Sequence, residues 1–238
     1  MTSIYDLSWG KTSFSAKLEL FLKARQSEKP RMRSQDPQVQ AGACSSLSST
    51  YYTIVGTAFS QLRAVVRPKG LIWLAPLRIL LWCLTWLPLA LYCYWRMHSL
   101  SDRMVELIGY YGMSADQCDV RQSILRRCAY HEEAKRCIDI ALTKNPEKAH
   151  TRGLLHIGLA EVYRHEGDIE SVETEVKAAL VEAKMAEKED PRQAARIYKS
   201  CARLIGLVQG NGSEGSRLRH KAEELARSVD AQDQLLKL

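Results

Sequence analysis

Cys118, Cys128, His131 and Cys137 are residues of the types that bind zinc. A structural zinc site needs close ligand pairs bridged by turns. Here nine and then eight residues separate successive cysteines, along helix-like sequence. The spacing predicts free core thiols and no metal. HEEAK at His131 is not the HExxH of a zinc protease, because its fifth residue is Lys135. SWGKTS at Ser8–Ser13 has the end of a phosphate loop, but the first glycine of that motif would fall at Tyr5, and no strand-like run precedes it. No nucleophile stands near a base in a recognisable local motif. The expectation is a chain that is not an enzyme and holds no cofactor.

What must be positioned, then, is charge and apolar surface. The chain has 34 Lys+Arg and 27 Asp+Glu, a formal net charge of +7. The excess is not spread evenly. Residues 1–70 hold ten basic and four acidic residues, whereas residues 96–238 hold 23 of each. The positive charge therefore belongs to the N-terminal arm, and it argues for an anionic lipid surface rather than for nucleic acid.

Leu71–Trp95 holds nine leucines and four tryptophans, and its only charge is Arg78. Twenty-five helical residues reach about 37 Å at 1.5 Å each, enough to cross about 30 Å of hydrocarbon. Trp73, Tyr92, Tyr94 and Trp95 lie near its ends, where aromatic rings favour the headgroup level. Arg78 is close enough to one end to snorkel. The segment reads as a single transmembrane helix with a kink at Pro88; a buried core helix and a re-entrant hairpin are the alternatives. Orientation is contested. Arg63, Arg67 and Lys69 before the span outnumber Arg96 and Arg103 after it, which favours a cytosolic N-terminus. Seven cysteines with no CxxC pair favour a cytosolic C-terminal domain, and the cysteines weigh slightly more.

Ser13–Arg25 is a short amphipathic helix with Phe14, Leu18, Phe21 and Leu22 at helical spacing, placed either on the membrane surface or against the rest of the protein. Gln26–Thr50, rich in Ser, Gln and Lys/Arg, predicts a disordered linker. Tyr51–Val66 predicts an interfacial helix. After the span, Met104, Leu107, Ile108 and Tyr111 follow helical spacing up to Gly112. Ser114 with Gln117 forms a capping box opening a helix to about Ala129. Further helices follow: His131–Thr143; one capped by Thr151 and ending at Gly167; one capped by Asp168; one opening at Asp190-Pro191; and, after a loop over Gln209–Gly215, one from Ser216. No alternating β-branched run predicts a sheet.

Ala134, Ile138, Ala141 and Pro146 have the spacing of the second helix of a tetratricopeptide repeat, and Leu159-Ala160, Tyr163, Gly167, Val172, Val176 and Ala179 resemble a second copy. Tyr198, Cys201-Ala202 and Ile205 resemble the first helix of a third. Small residues let helices approach, and large ones fill the space between pairs. Residues 115–238 thus resemble the tetratricopeptide family. Cys118 and Gln122 depart from the pattern, and so does the 42-residue step from Ala160 to Ala202. The resemblance implies a groove lined by first helices, and maps it onto Arg126, Arg127, Glu161, Arg164, His165, Arg196, Lys199 and Arg203. Such a groove would take an acidic peptide or a free C-terminal carboxylate. Asp119 and Ser123 stand where the family's chaperone-binding clamp has Lys and Asn, so no chaperone is expected.

The expected fold class is all-α, one transmembrane helix followed by antiparallel helix pairs of tetratricopeptide-like solenoid type. Residues 1–70 form a basic, partly disordered arm with short amphipathic helices, 71–95 the span, 96–114 a connecting helix and 115–238 the repeat domain. The expected function is a membrane-anchored adaptor that recruits a protein partner, with membrane lipid as its other contact and no nucleic acid. A structural subunit of a membrane complex and a lipid-surface binding protein are the alternatives.

Overall fold

The computed structural model describes residues 14–66, 75–208 and 212–235. The phosphate-loop-like Ser8–Ser13, the first residues of the apolar segment with Trp73, and residues 209–211 of the expected loop lie outside them. The described residues are helical apart from short connections, and they form no strand. They divide into two compact units, Met1–Met113 and Ser114–Leu238.

The first unit contains α1 (Phe14–Glu28), a 3-10 turn (Arg31–Arg33), α2 (Pro37–Val66) and α3 (Ala75–Gly112). The linker expected over Gln26–Thr50 is a correction: most of it is helix. Pro37 occupies the first helical position, and Asp36 Oδ1 accepts from Gln38 N at 2.8 Å, which closes the helix start. The buried side of α2 is Ala41, Cys44, Leu47, Ser48, Tyr51, Ile54, Val55 and Ala58. Up to Thr50 every buried residue of α2 except Leu47 is small, so a search for large apolar residues does not find this part of the helix. Against it lies a matching stripe of α3 running from Trp82 through Trp86, Ala90, Cys93, Met97 and Leu100 to Met104. Two hydrogen bonds cross the seam: Ser48 Oγ donates to Met97 O at 3.4 Å, and Trp82 Nε1 to Ala58 O at 3.1 Å. α1 packs on the pair, with the Phe14 ring edge-on to Trp86 and Phe21 edge-on to Tyr92.

The helix of the span runs on without interruption through the first part of the expected connecting helix, as far as Gly109. The backbone of α3 leaves helical geometry at Gly109 (φ 63, ψ 170), not at Pro88. That conformation is essentially restricted to glycine.

The second unit is α4 (Ala115–Arg127), α5 (His131–Thr143), α6 (Ala149–Glu166), α7 (Ile169–Glu189), α8 (Pro191–Val208) and α9 (Ser213–Leu235). The capping box at Ser114 forms with both reciprocal bonds, 3.2 and 2.7 Å. Asp168 caps α7, and α6 ends on Gly167 at φ 81. Two starts differ from expectation. α6 begins at Ala149 rather than after Thr151, because the Thr151 hydroxyl is turned to Asp116 Oδ1 at 2.9 Å. α9 begins at Ser213, three residues before Ser216. The core joins Ile157 and Ala160 of α6, Val172, Val176 and Ala179 of α7, Ile197, Cys201 and Leu204 of α8, and Leu218 and Ala222 of α9. At Gly158 of α6 the absence of a side chain decides the packing: a Cβ there would stand 2.9 Å from both Gln122 Oε1 and Ile138 Cδ1.

Ala129, after the end of α4, is held at φ 61. That left-handed conformation costs a residue with a Cβ about 1–2 kcal/mol. Ala129→Gly is therefore expected to stabilise the chain by about 1 kcal/mol, read as a higher denaturant midpoint with an unchanged slope.

Candidate interaction face of the second unit

The helices α4, α6 and α8 supply every residue of the sequence-derived groove. α6 touches both of its neighbours in this set through one side chain. The Glu161 carboxylate takes Arg126 of α4 on Oε2 and Arg203 of α8 on Oε1. Arg126 and Glu161 are largely buried, whereas Arg203 is exposed. Charged hydrogen bonds of this kind fix orientation as well as adding energy.

The polar chain continues along α4. Arg126 Nε donates to Gln122 Oε1 at 2.6 Å, and Gln122 Nε2 donates to Asp119 Oδ1 at 2.7 Å. Asp119, Gln122 and Arg126 sit three and four residues apart, hence on one helix face. Burial pushes the Asp119 carboxyl above its ordinary value, against the opposing pull of Arg196 and the Gln122 hydrogen bond. Arg196 thus joins the group from α8. Lys199 is on the same helix and exposed.

Arg164 and His165 make their direct contacts with each other and with α5, although His165 still feels the charges of Glu161 and Arg126. Arg164 Nη2 meets His165 Nε2 at 2.9 Å, and the His165 ring stacks on His131 of α5 with centroids 4.3 Å apart. Burial, then Arg164 and His131, lower the His165 pKa. Arg127 is exposed at the end of α4. Seven of the eight residues therefore form two groups, Arg126, Glu161, Arg196 and Arg203 with Lys199 beside them, and Arg164 with His165 at α5; Arg127 joins neither. The first group is less basic than its sequence implies, since Glu161 answers two arginines.

Sequence reasoning passed over Asp119 and Gln122 as components of this face. Their i, i+3, i+7 relation to Arg126 was the available signal. It also missed acids of α7 that hold α6: Glu182 on Arg152 at 2.8 Å and Glu175 on His156 at 2.7 Å.

Cys118 and Cys137 meet as thiols in the core. Cys137 Sγ lies 3.5 Å from Cys118 O. The contact between the two thiols lowers the Cys118 pKa and, with burial, raises that of Cys137. Burial pushes Cys201 up to about 12. All seven cysteines are free, and among the described residues no three His, Cys, Asp or Glu side chains come together as a metal site. No family model and no curated protein matches the chain.

Asp119 gives this face a pH signature. A carboxyl raised on folding binds its proton more tightly in the folded state. Stability then falls as pH rises from the ordinary aspartate value through the raised one, and the penalty persists above it. Asp119→Asn is expected to raise stability at neutral pH and to flatten that slope, measured by denaturation across pH 3–8 (about the range in which carboxyls titrate). A variant less stable than the parent at every pH would show that the carboxylate is needed for its hydrogen bonds.

Proposed function

We propose that the chain is a membrane-anchored adaptor: the first unit holds it in a bilayer, and the second takes a protein partner on the face of α4, α6 and α8. One observation carries the membrane half. α3 contains one helix stretch long and apolar enough to cross a membrane, and only 22% of its most apolar 18-residue window is buried. Leu77, Leu80, Leu81, Leu84, Leu91 and Trp95 are each more than half exposed. A core helix of a soluble protein would cover such residues; lipid is the solvent that suits them.

The span does not cross alone in this reading. α2 is packed along α3 by buried side chains, from Ala58 beside Trp82 to Ser48 beside Met97, so the two share one depth. α2 can tolerate it. No charged residue occurs from Pro37 to Leu62. The threonine hydroxyls turn back onto their own helix, Thr50 to Ser46 O, Thr53 to Ser49 O and Thr57 to Thr53 O, at 3.0, 3.0 and 2.9 Å. Hydroxyls satisfied this way do not need water, and small-residue seams are the usual packing between helices in lipid. The single crossing read from sequence then becomes a hairpin, with Arg63 and Arg78 near its tip and Arg67 and Lys69 between them in the sequence. Arg25, Lys29, Arg31, Arg33, Arg96 and Arg103 belong to its open end. The larger basic group at the open end and the free thiols both favour a cytosolic second unit.

The adaptor half rests on the lateral arrangement of α4, α6 and α8, which a tetratricopeptide-like array would also have. Arg196, Lys199 and Arg203 suit an acidic peptide or a free carboxylate.

The chain should resist alkaline carbonate extraction, and tags at its two ends should show the same protease accessibility in sealed vesicles. Tags on opposite faces would restore a single crossing, and extraction by carbonate would remove the anchor altogether. For the partner face, binding of an acidic peptide should weaken with salt, and by about tenfold in an Arg196→Ala, Lys199→Ala double variant. Affinity indifferent to both would end the groove reading.

A further inference from the structure

The first unit contains a cleft of about 670 Å3 between α1, the 3-10 turn, α2 and α3. Three cations line it: Arg25 from α1, Lys29 just beyond it, and Arg96 from α3. No carboxylate is among its lining residues. Glu28, next to Lys29 in sequence, is engaged by Arg31 at 2.9 Å. The arginines rest on aromatic faces instead. Arg25 lies 5.4 Å from the Phe21 ring centre and 6.0 Å from that of Tyr92, and Arg96 lies 5.6 Å from that of Trp95. The Arg96 Nε is buried and has no hydrogen-bond partner among the described residues. Leu22, Met32 and Leu47 supply its apolar surface, and Gln26 and Tyr51 complete the lining.

We propose that this cleft binds the headgroup of an anionic phospholipid, with phosphate oxygens on Arg25, Lys29 and Arg96 and the start of an acyl chain over Leu22 and Leu47. The assignment rests on the membrane reading of α3 and refines it. Guanidinium groups stacked on rings keep their forks free for a planar, bidentate anion contact. An inorganic phosphate would answer the charges and leave the apolar wall wet. An amphiphile answers both. The depth agrees: Arg96 follows Trp95 directly, and Tyr92 and Tyr94 stand beside it, at the end of the apolar run where headgroups lie. From α1, Phe21 and Arg25 reach the same level through their contacts with Tyr92.

The test uses the full chain in a neutral detergent and follows tryptophan fluorescence while short-chain lipids are added. Dioctanoyl phosphatidylglycerol should bind about tenfold or more tightly than dioctanoyl phosphatidylcholine. Arg25→Gln and Arg96→Gln should each weaken the anionic lipid by about fivefold, leaving the zwitterionic one unchanged. Lys29→Gln, at an exposed position that cannot disturb the fold, should act in the same direction. Equal affinity for the two lipids, or variants without effect, would overturn the site. Inorganic phosphate binding as tightly as phosphatidylglycerol would overturn the lipid assignment in favour of a free anion. Carbonate extraction is read separately. A chain that washes off membranes yet still prefers phosphatidylglycerol in detergent keeps the site and loses the anchor.

Discussion

The seam between α2 and α3 decides what else the first unit can be. α3 meets α2 through one stripe, Trp82 to Met104, and leaves its remaining sides rich in leucine. Removing apolar surface from water is worth about 25 cal/mol per Å2, so leucines left bare on a folded helix favour another apolar neighbour. Small residues on α2 bring the two backbones close enough for Ser48 and Trp82 to reach carbonyls of the opposite helix. That closeness ties their depths together. Whatever solvent α3 occupies, α2 occupies too, and its lack of charge before Arg63 is the condition that makes this possible.

In the second unit the corresponding constraint is electrostatic. Glu161 is partly buried between Arg126 and Arg203, and breaking such a set from one side leaves a charge without its partner. The pairing fixes how α4 and α8 stand beside α6. It also explains why counting cations overstates the basic character of the face. Farther along the unit Glu187 has a similar role. Burial opposes its charge, but hydrogen bonds from Tyr198 and Lys221 prevail and hold its carboxyl below the ordinary value. It links α7, α8 and α9.

Much of the second unit was legible because its boundaries are written in side-chain chemistry: Ser114 with Gln117, Gly167, Asp168, and Asp190-Pro191. The first unit was less so, and the reason is specific. Asp36-Pro37 is the same start signal as Asp190-Pro191, with an equivalent side-chain bond to the backbone two or three residues on. The alanines, serines and cysteine after it read as linker composition, since disorder and close helix packing both favour small residues. Only the partner stripe on α3 distinguishes them, and a partner so far along the chain is not visible in local periodicity. The face of α4, α6 and α8 was half legible. Spacing placed its residues on the right helices, but which charges answer one another depends on distances across helices, and Arg164 and His165 turn to His131 instead.

The two units differ in how they use charge, and the proposed division of labour follows from that. Over residues 114–238 acids and bases are equal in number, 21 of each, and many are matched internally, as in Arg152 with Glu182, His156 with Glu175 and Lys221 with Glu187. A neutral, internally paired domain has little attraction for an anionic lipid surface. The arm and the open end of the hairpin, by contrast, keep Arg25, Lys29 and Arg96 around an apolar cleft with no acid among its lining residues to answer them. Had the excess charge been spread over both units, the second would compete for the bilayer with any acidic partner. Confining it to the first is what the proposed adaptor reading requires: the face of α4, α6 and α8 would then select a partner by the placement of a few cations rather than by their number.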